Sequence, residues 1–492
     1  MSKVQYADMS FLKNKKNLFI TFIILCAAFL RFYRIQDFFM FLADQGRDAL
    51  IVKGIVLFQK FPAIGPPSSI GEVFLGPFYY YMVAPFLALF RLDPVGLAVG
   101  VAVWCIFGLI ASYFFVKNRI DIKTAVIFLL LSAFSYRLVD SARYSWNPNP
   151  LPYFAFATLF FFVLALEKPK KILYSLTFGL LFGLSFQLHH LAALIALPVV
   201  VIFILVFVKK RNIQLFIIPF VSLSTFLLAS IPLVIFDLRH NFLNTKNLIS
   251  VLTKQNIIAG GSWISRLLET NTAFLHFAFN INFSSWQAAL IMVVLIIATV
   301  IKLQKKDNLF VLTNLAAVIL FIIGFSHIGA ERFLHYFGSV YLSLYLLIAY
   351  VLTPGKNKIA YGLSIALICV FIFQQATGYN FIFGTPSRQV AVPKTVGKFI
   401  ANEANGIPMN MATYPTEFTS EDCFRYFIEL NGGKVVERKY NEIAPQMFVL
   451  CDKGECDILH TNSWNINMFG NAKIDTMWNV DGIRIFKLVH NN

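Results

Sequence analysis

The chain has 492 residues, of which 58% are hydrophobic and only 14% are charged, with a formal net charge of +17. Soluble globular proteins carry about a quarter charged residues, so this composition excludes an ordinary soluble domain. The positive charge does not indicate nucleic-acid binding, because the surplus of Lys and Arg lies in short loops between apolar segments and not on one basic face.

Apolar segments of roughly 17–23 residues, long enough to cross a hydrocarbon core of about 30 Å, recur along the chain. They predict an all-α polytopic membrane bundle with a cytoplasmic N-terminus and a retained first helix. The eleven predicted transmembrane helices are 17–34, 94–116, 123–139, 151–166, 172–188, 191–208, 213–236, 286–303, 309–325, 337–352 and 358–376.

The loops between these spans differ in charge, and this difference predicts their sides. Lys and Arg concentrate in cytoplasmic loops. The loops predicted to be cytoplasmic are Lys117–Lys123, Glu167–Lys171, Lys209–Arg211, Lys302–Asn308 and Pro354–Lys358. The apolar segment Gly76–Phe90 has only 15 residues. We expect it to be a re-entrant or interfacial helix on the outer surface, because a crossing there would move every later basic loop outside.

Two long outer loops, residues 36–93 and 237–285, belong to the predicted membrane module, residues 1–378. Loops of this length usually have a role, so we expect them to roof a site at the membrane surface, with simple connection of spans as the alternative. Residues 379–492 are predicted to form a small extracytoplasmic α/β domain. Its predicted helix and strands are Val392–Asn405, Met409–Tyr414, Gln446–Cys451 and Gly482–Val489.

The cysteines of this tail favour one disulfide if the tail is extracytoplasmic. The three candidates are Cys423, Cys451 and Cys456. Because their number is odd, the sequence leaves the pairing open. The other cysteines lie in apolar segments, and no spacing typical of a zinc site appears.

The first outer loop carries a charged sequence, Leu42-Ala43-Asp44-Gln45-Gly46-Arg47-Asp48, about ten residues beyond the first span. Charges near a bilayer are costly unless they are paired or used. In a helix, Asp44 and Asp48 would share a face with Arg47 nearby. Asp44 is therefore a candidate catalytic carboxylate, and Arg47 and Asp48 are candidate substrate-binding residues. The alternative is a local Asp–Arg pair at a helix start, with Asp44 as the N-cap.

Other polar and aromatic side chains fall on the same predicted outer face and are candidates for substrate binding. They are Tyr79, Tyr80, Arg143, Trp146, Asn147, His189, His190, Glu331, Arg332, His335 and Tyr336. Arg332 could bind a phosphate through paired N–H donors, with a snorkelling interfacial Arg as the alternative. Tyr and Trp are common at membrane interfaces in any case. Adjacent histidines in a helix point about 100° apart, so hydrogen bonding is favoured over a shared metal ion.

On these residues the chain resembles the GT-C superfamily of polyprenyl-phosphate-sugar-dependent glycosyltransferases. It is most similar to the family 39-type branch, which includes protein O-mannosyltransferases and lipid A aminoarabinose transferases. The resemblance covers roughly residues 17–376. It is carried by Asp44 after the first span, the segment Pro77-Phe78-Tyr79-Tyr80, Arg143 with Trp146-Asn147-Pro148, and Arg332.

The resemblance implies a sugar transferase with Asp44 as the catalytic base and inversion at the sugar. The implied partners are a polyprenyl-phosphate sugar donor, membrane lipid, and an acceptor hydroxyl on a protein, lipid or polysaccharide. Two departures from the family pattern are Gln45, where many members have Glu, and Gly76, where members place a basic residue. No cofactor or obligatory metal is expected, and a divalent cation is the alternative.

Two other functions stay open from the sequence. A transporter or flippase of lipid-linked glycans would need polar residues at mid-bilayer and often repeated halves, and neither is evident here. A non-enzymatic scaffold of the cell envelope would use the tail to bind partners. The expected location is the plasma membrane in each case, with the N-terminus cytoplasmic and the tail extracytoplasmic.

Overall fold

A computed structural model describes residues 15–68, 73–254, 262–305, 308–415, 421–436, 442–451 and 456–491. Parts of both long outer loops, residues 69–72 and 255–261, lie outside the described residues. In chain order the helices of the membrane part are α1 (Lys15–Phe32), α2 (Ile35–Phe38), α3 (Ala43–Val56), α4 (Phe78–Leu89), α5 (Val95–Arg119), α6 (Ile122–Phe134), α7 (Tyr136–Ser141), α8 (Leu151–Glu167), α9 (Ile172–Leu188), α10 (Ala196–Lys210), α11 (Ile217–Arg239), α12 (Leu243–Lys254), α13 (Trp263–Phe279), α14 (Ser285–Lys305), α15 (Leu309–Ser326), α16 (Tyr341–Leu352) and α17 (Lys358–Ala376).

A helix is present at each of the eleven predicted spans, and together they form a multi-pass membrane bundle. Six helical segments among the described residues are long and apolar enough to cross a membrane: Val95–Arg119, His190–Lys210, Ile213–Arg239, Ser285–Lys305, Leu309–Ser326 and Lys358–Ala376. Helices α4, α6, α8, α9 and α16 are apolar but shorter. Many long apolar side chains of α10, α11 and α14 are exposed, as expected for helices that face lipid.

The predicted continuous span 123–139 is wrong, because the helix ends at Phe134. Ser135 has extended backbone angles, and its hydroxyl accepts a hydrogen bond from the Leu138 N–H, which starts α7. The Tyr136 N–H donates to Gln375 of α17 instead of to an α6 carbonyl. Serine at a helix N-terminus typically caps in this way. The break turns α7 into a short separate helix beside the outer loops.

The predicted basic loops lie together at one end of the bundle. Arg119 pairs with Glu167, and the Asn308 side chain donates to the Arg119 carbonyl. Lys302 donates to the Thr353 carbonyl at 2.8 Å, and Lys210 donates to a carbonyl at the end of α8. These contacts join loops that the sequence places on one side of the membrane, so they agree with the predicted alternation of the spans.

The C-terminal part is a small α/β unit, as predicted. Its remaining elements are α18 (Ala391–Glu403), β1 (Met409–Tyr414), α19 (Glu421–Leu430), β2 (Gln446–Cys451), α20 (Trp464–Asn467), β3 (Ala472–Val480) and β4 (Ile483–His490). The strands form one sheet in the order β1-β2-β4-β3, in which β1 and β2 are parallel and the other pairs are antiparallel. Apolar side chains of α18 and α19 pack on one face of this sheet.

Strand β3 is missing from the sequence prediction, because most of its side chains are exposed and it lies at the edge of the sheet. A disulfide joins Cys451 at the end of β2 to Cys456. This confirms the expected single disulfide and fixes its pairing. Cys423 is a buried free thiol in α19.

Candidate functional site

Asp44 lies in the first turn of α3, in the loop after the first span that is predicted to be on the outer side. The helix starts one residue earlier, and its N-cap position is Leu42, so Asp44 is not the N-cap. The Gln45 side chain accepts a hydrogen bond from the Leu42 N–H at 3.2 Å and closes this helix end. Gln45 therefore has a local structural role at the start of α3. A carboxylate in the first turn is stabilised by the positive end of the helix dipole.

Two donors orient the Asp44 carboxylate. Arg47 donates from Nη1 to Asp44 Oδ1 at 2.8 Å, and Trp146 donates from Nε1 to Asp44 Oδ2 at 3.2 Å. The Asp44 side chain is 44% exposed. A carboxylate can accept about four hydrogen bonds. Asp44 is therefore held in one orientation and still has lone pairs available for a bound hydroxyl group.

Arg47 bridges two carboxylates. Its Nε and Nη2 donate to Asp48 Oδ1 at 3.0 and 2.8 Å, in addition to the bond to Asp44. Asp48 is fully buried, and the Tyr80 hydroxyl donates to the same oxygen at 3.3 Å. Burial raises the pKa of Asp48 to about 6, although the Arg47 charge acts in the opposite direction. Asp48 thus fixes the guanidinium from behind, away from solvent.

The loop after α7 supplies Trp146 to the site. The Tyr79 hydroxyl donates to Ser145 at 3.0 Å, and the Asn147 side chain donates to the Leu188 carbonyl at the end of α9. These bonds tie the loop to α4 and to α9, so Trp146 has a fixed position beside Asp44. Its ring also packs against His335, with ring centroids 4.4 Å apart.

A cavity of about 310 Å³ opens beside Asp44. This volume suits a small ligand or the reacting end of a larger one. Residues from five separate parts of the chain meet there. The cavity is lined by Asp44, Arg47, Pro66, Pro67, Ser68, Leu75, Trp146, Asn147, Pro148, His189 and His335.

One wall of this cavity was missed by the sequence analysis. Residues 65–68 and 73–75 approach as a short hairpin, in which Leu75 N–H donates to Pro66 and Gly65 N–H donates to Leu75. The Asn244 side chain clamps this hairpin to α12 with two bonds to Phe74, both 2.9 Å long. The Gly-Pro-Pro-Ser run at residue 65 is the signal that could have predicted irregular backbone here.

Two neutral histidines face the cavity. His335 lies against Trp146 and is 5.5 Å from His189, measured between ring centroids. Burial lowers the pKa of His335 to about 3, and the charge of Arg137 acts in the same direction. Burial also lowers the pKa of His189, whose Nδ1 accepts the Leu191 N–H. Both rings are therefore uncharged at neutral pH and offer hydrogen bonds without adding positive charge.

Several predicted residues lie behind the cavity and do not line it. Tyr79 and Tyr80 are buried and support Ser145 and Asp48 as described above. Tyr336 packs its ring on His335 at 4.3 Å. His190 is buried, with its ring 5.7 Å from that of His189. The substrate contacts predicted for these residues stay predictions. In the structure these residues contact the side chains that surround the cavity.

Arg143 and Arg332 lie outside the cavity lining. Arg143 donates to the carbonyls of Leu30, Arg31 and Tyr33 and so closes the end of α1. Arg332 donates to the Thr270 hydroxyl at 2.9 Å, to the Ile328 carbonyl at 2.9 Å and to the Ala330 carbonyl. Glu331 is exposed. The phosphate-binding role of Arg332 stays a prediction, and its guanidinium is occupied by protein acceptors in this structure.

The C-terminal unit packs directly on α3. The Cys423 thiol donates to the Phe41 and Leu42 carbonyls, and a Cβ atom on Gly46 would meet Cys423 N at 2.7 Å. Lys53 of α3 pairs with Glu429 of α19 at 2.5 Å. Only glycine permits this approach. The helix that carries Asp44 is therefore positioned by α19 as well as by the membrane bundle.

Within the described ranges, no group of three or more His, Cys, Asp or Glu side chains is arranged to hold a metal ion. The expectation that no metal is obligatory stays a prediction.

The comparisons with known proteins agree with this architecture. Residues 75–236 match the sequence profile of the family described as dolichyl-phosphate-mannose-protein mannosyltransferase. No curated protein sequence matches the chain at significant similarity.

Solved structures show the same fold over nearly the whole chain. The structure of ArnT from Cupriavidus metallidurans bound to undecaprenyl phosphate superposes with a TM-score of 0.61 at 11% identity, covering 98% of both chains. The archaeal oligosaccharyltransferase AglB from Archaeoglobus fulgidus, in complex with an inhibitory peptide and a dolichol-phosphate, gives a TM-score of 0.53 at 13% identity. That match covers 90% of this chain and 70% of AglB. The fold therefore extends over the membrane bundle and the C-terminal unit together.

Proposed function

We propose that this chain, which has the GT-C fold of membrane glycosyltransferases, moves a sugar from a polyprenyl-phosphate donor to an acceptor hydroxyl at the extracytoplasmic membrane surface. The observation that carries the proposal is Asp44. Its carboxylate is accessible and held by two donors at the edge of a cavity of about 310 Å³. The match to mannosyltransferases and the fold shared with ArnT support the donor class.

The chemistry requires one base. Asp44 takes the proton of the acceptor hydroxyl, and the acceptor oxygen forms a bond to the anomeric carbon of the sugar. The bond from that carbon to the phosphate oxygen breaks, and its electron pair leaves on the phosphate. A phosphate is already a good leaving group, so a general acid is not required. Attack opposite to the leaving group inverts the anomeric configuration.

The neighbours of Asp44 fit this step. Arg47 and Trp146 orient the carboxylate before substrate arrives, which removes part of the entropic cost of the reaction. His335 and His189 are uncharged and line the same cavity. They supply hydrogen bonds for sugar or acceptor hydroxyl groups. The Trp146 ring and the prolines supply apolar surface for a sugar face.

Charge supports an outer-face location. The basic loops contact one another at one end of the bundle, and Lys and Arg concentrate on the cytoplasmic side of membrane proteins. The C-terminal unit packs on α3, so it lies on the same side as Asp44. We therefore place Asp44, the cavity and the C-terminal unit outside and the N-terminus in the cytoplasm. The sugar and the acceptor class are not assigned.

A transfer assay tests this function. Purified full-length chain is supplied with a polyprenyl-phosphate hexose of known anomeric configuration and with pools of protein, lipid or polysaccharide acceptors. The expected result is release of polyprenyl phosphate with at least one pool and a product linkage of opposite configuration. Absence of release with every donor and pool would reject the enzyme, and a retained configuration would reject direct displacement by the acceptor.

A further inference from the structure

The hairpin wall of the Asp44 cavity, residues 65–68 and 73–75, depends on contacts outside itself. Three backbone hydrogen bonds of 2.7, 2.9 and 3.0 Å join its two short strands. A two-stranded hairpin of any length is at best marginally stable in water. The position of this wall beside Asp44 must therefore be fixed by the part of the molecule that it packs against.

Asn244 of α12 supplies that contact. Val73 and Leu75 bond to the partner strand, so the N–H and carbonyl of Phe74 point away from it. Asn244 Oδ1 accepts from the Phe74 N–H, and Asn244 Nδ2 donates to the Phe74 carbonyl, each at 2.9 Å. A side-chain amide can accept and donate at once, as a neighbouring strand would. Asn244 therefore takes the place of a third strand at the free edge of the hairpin wall.

The end of α11 fixes Asn244 in turn. Asp237 Oδ1 accepts the Asn244 N–H at 2.7 Å, and Asp237 Oδ2 accepts the Thr245 hydroxyl at 2.5 Å. The ring of Phe236 also packs on the ring of Phe74, with centroids 5.3 Å apart. The hairpin wall is thus joined through Asn244 to a helix of the membrane bundle, and not only to the loop that contains it.

The hairpin wall bounds the space that the acceptor must enter. A general base acts only on a proton within hydrogen-bond reach, so the acceptor hydroxyl must come to Asp44. Four residues of the wall line the same cavity as Asp44: Pro66, Pro67, Ser68 and Leu75. Asn244 lies outside this lining. Any effect of Asn244 on the acceptor must therefore act through the position of the wall.

We propose that Asn244 is a positioning residue for the acceptor, because its two bonds to Phe74 hold the hairpin wall where the acceptor group fits beside Asp44. The inference rests on the proposed function for the identity of the reaction. Loss of the two bonds lowers the fraction of chains with an ordered wall, and the apparent acceptor affinity falls with that fraction. Arg47 and Trp146 still orient Asp44, so the chemical step after binding is unaffected.

Steady-state kinetics test the proposal through the division between KM and kcat. The substrates are the polyprenyl-phosphate hexose and the acceptor pool that support transfer by the wild-type full-length chain. Asn244→Leu is similar in size and removes both bonds. It is expected to raise the acceptor KM about 5- to 20-fold, the range for one or two lost neutral hydrogen bonds, with kcat and the donor KM unchanged. Asn244→Asp keeps the oxygen that accepts from Phe74 but loses the donor, so an intermediate acceptor KM is expected.

Hydrogen exchange measures the hairpin wall itself without requiring turnover. The backbone amides of the wall are expected to exchange faster in Asn244→Leu than in wild type, because the clamp no longer limits local opening. Thr245→Val is the matched control, because it removes a hydroxyl bond to Asp237 in the same turn of α12 and leaves both bonds to Phe74. It is expected to match wild type in both measurements. Thermal unfolding of each variant identifies any loss caused by misfolding.

The outcomes separate this inference from the proposed function. If wild type transfers sugar, an unchanged acceptor KM in folded Asn244→Leu would overturn the role of Asn244. A fall in kcat at constant KM, or a rise confined to the donor KM, would overturn it as well. Unchanged exchange of the wall would show that Asn244 does not hold it. Absence of transfer by wild type would reject the proposed function and the acceptor role with it, and faster exchange in Asn244→Leu would then keep only the clamp.

Discussion

Arg47 and Arg332 were both predicted to bind substrate, and the structure gives them different surroundings. Arg47 lies between two carboxylates, at 2.8 Å from each, on the edge of a cavity. Arg332 lies over the Phe325 ring and donates to backbone carbonyls of its own loop. The first arrangement orients the Asp44 carboxylate at the cavity, and the second closes a loop. An outer-face arginine is therefore informative only when its acceptors are known.

The largest expected effect is at Asp44. Asp44→Asn keeps the size of the side chain but removes the base, so turnover should fall about 10²- to 10⁴-fold. The matched control is Asp37→Asn, which removes a half-exposed carboxylate paired with Arg34 in the same outer loop. Turnover of polyprenyl-phosphate hexose by both variants is the measurement. Full turnover by Asp44→Asn would show that Asp44 is not the base.

Replacing Arg47 or Arg332 with glutamine tests whether the two arginines have different roles. Arg47→Gln should lower turnover about 10- to 100-fold, because Asp44 loses a charged donor. Arg332→Gln should mainly lower the unfolding temperature, because two backbone carbonyls lose their partner. The measurements are kcat, KM for the donor and thermal unfolding of each variant. A higher donor KM with an unchanged unfolding temperature in Arg332→Gln would restore the phosphate role to Arg332.

The contact between α3 and α19 is expected to have the next largest effect on kcat. Gly46→Ala places a methyl group within 2.9 Å of Asp422 and Cys423 atoms, so α3 must shift and carry Asp44 with it. A displacement of this size is expected to lower kcat roughly tenfold. Gly54→Ala in the same helix is the control, because its nearest neighbour would be at 3.6 Å. Equal activity of the two variants would show that α19 does not position Asp44.

The smallest effect is the pH dependence that Asp48 produces. Its folded-state pKa of about 6 lies above its ordinary value of 3.8. As the pH falls through about 6, Asp48 is protonated and Arg47 loses one carboxylate, so turnover should fall several-fold. The same protonation stabilises the folded chain between about pH 6 and 4, so the unfolding temperature should rise. Asp48→Asn should abolish both changes. A profile identical to wild type would exclude Asp48 as their source.

Much of the fold was predictable because lipid imposes a simple rule. Every predicted span has a helix, since apolar segments of this length must satisfy their backbone bonds internally. The break at Ser135 was missed. Its hydroxyl caps the following helix, but in the sequence Ser135 is only one small residue within an apolar segment. Strand β3 was missed because its exposed side chains give no alternating pattern.

The site was predictable in part. Asp44, Trp146 and His335 came from the charge and aromatic pattern of the outer loops. The hairpin that contains Pro66 was not predicted, because its position depends on the Asn244 clamp, about 170 residues away. Which arginines are occupied by carbonyls is decided by tertiary contacts that no local pattern contains.

The side of the membrane on which Asp44 lies is the most direct test, because the donor headgroup, the base and the C-terminal unit must all meet there. The measurement is labelling of Asp44→Cys with a charged, membrane-impermeant maleimide in intact cells, compared with permeabilised cells. Full labelling from outside before permeabilisation is expected. Labelling that appears only after permeabilisation would place residue 44 in the cytoplasm and contradict the account.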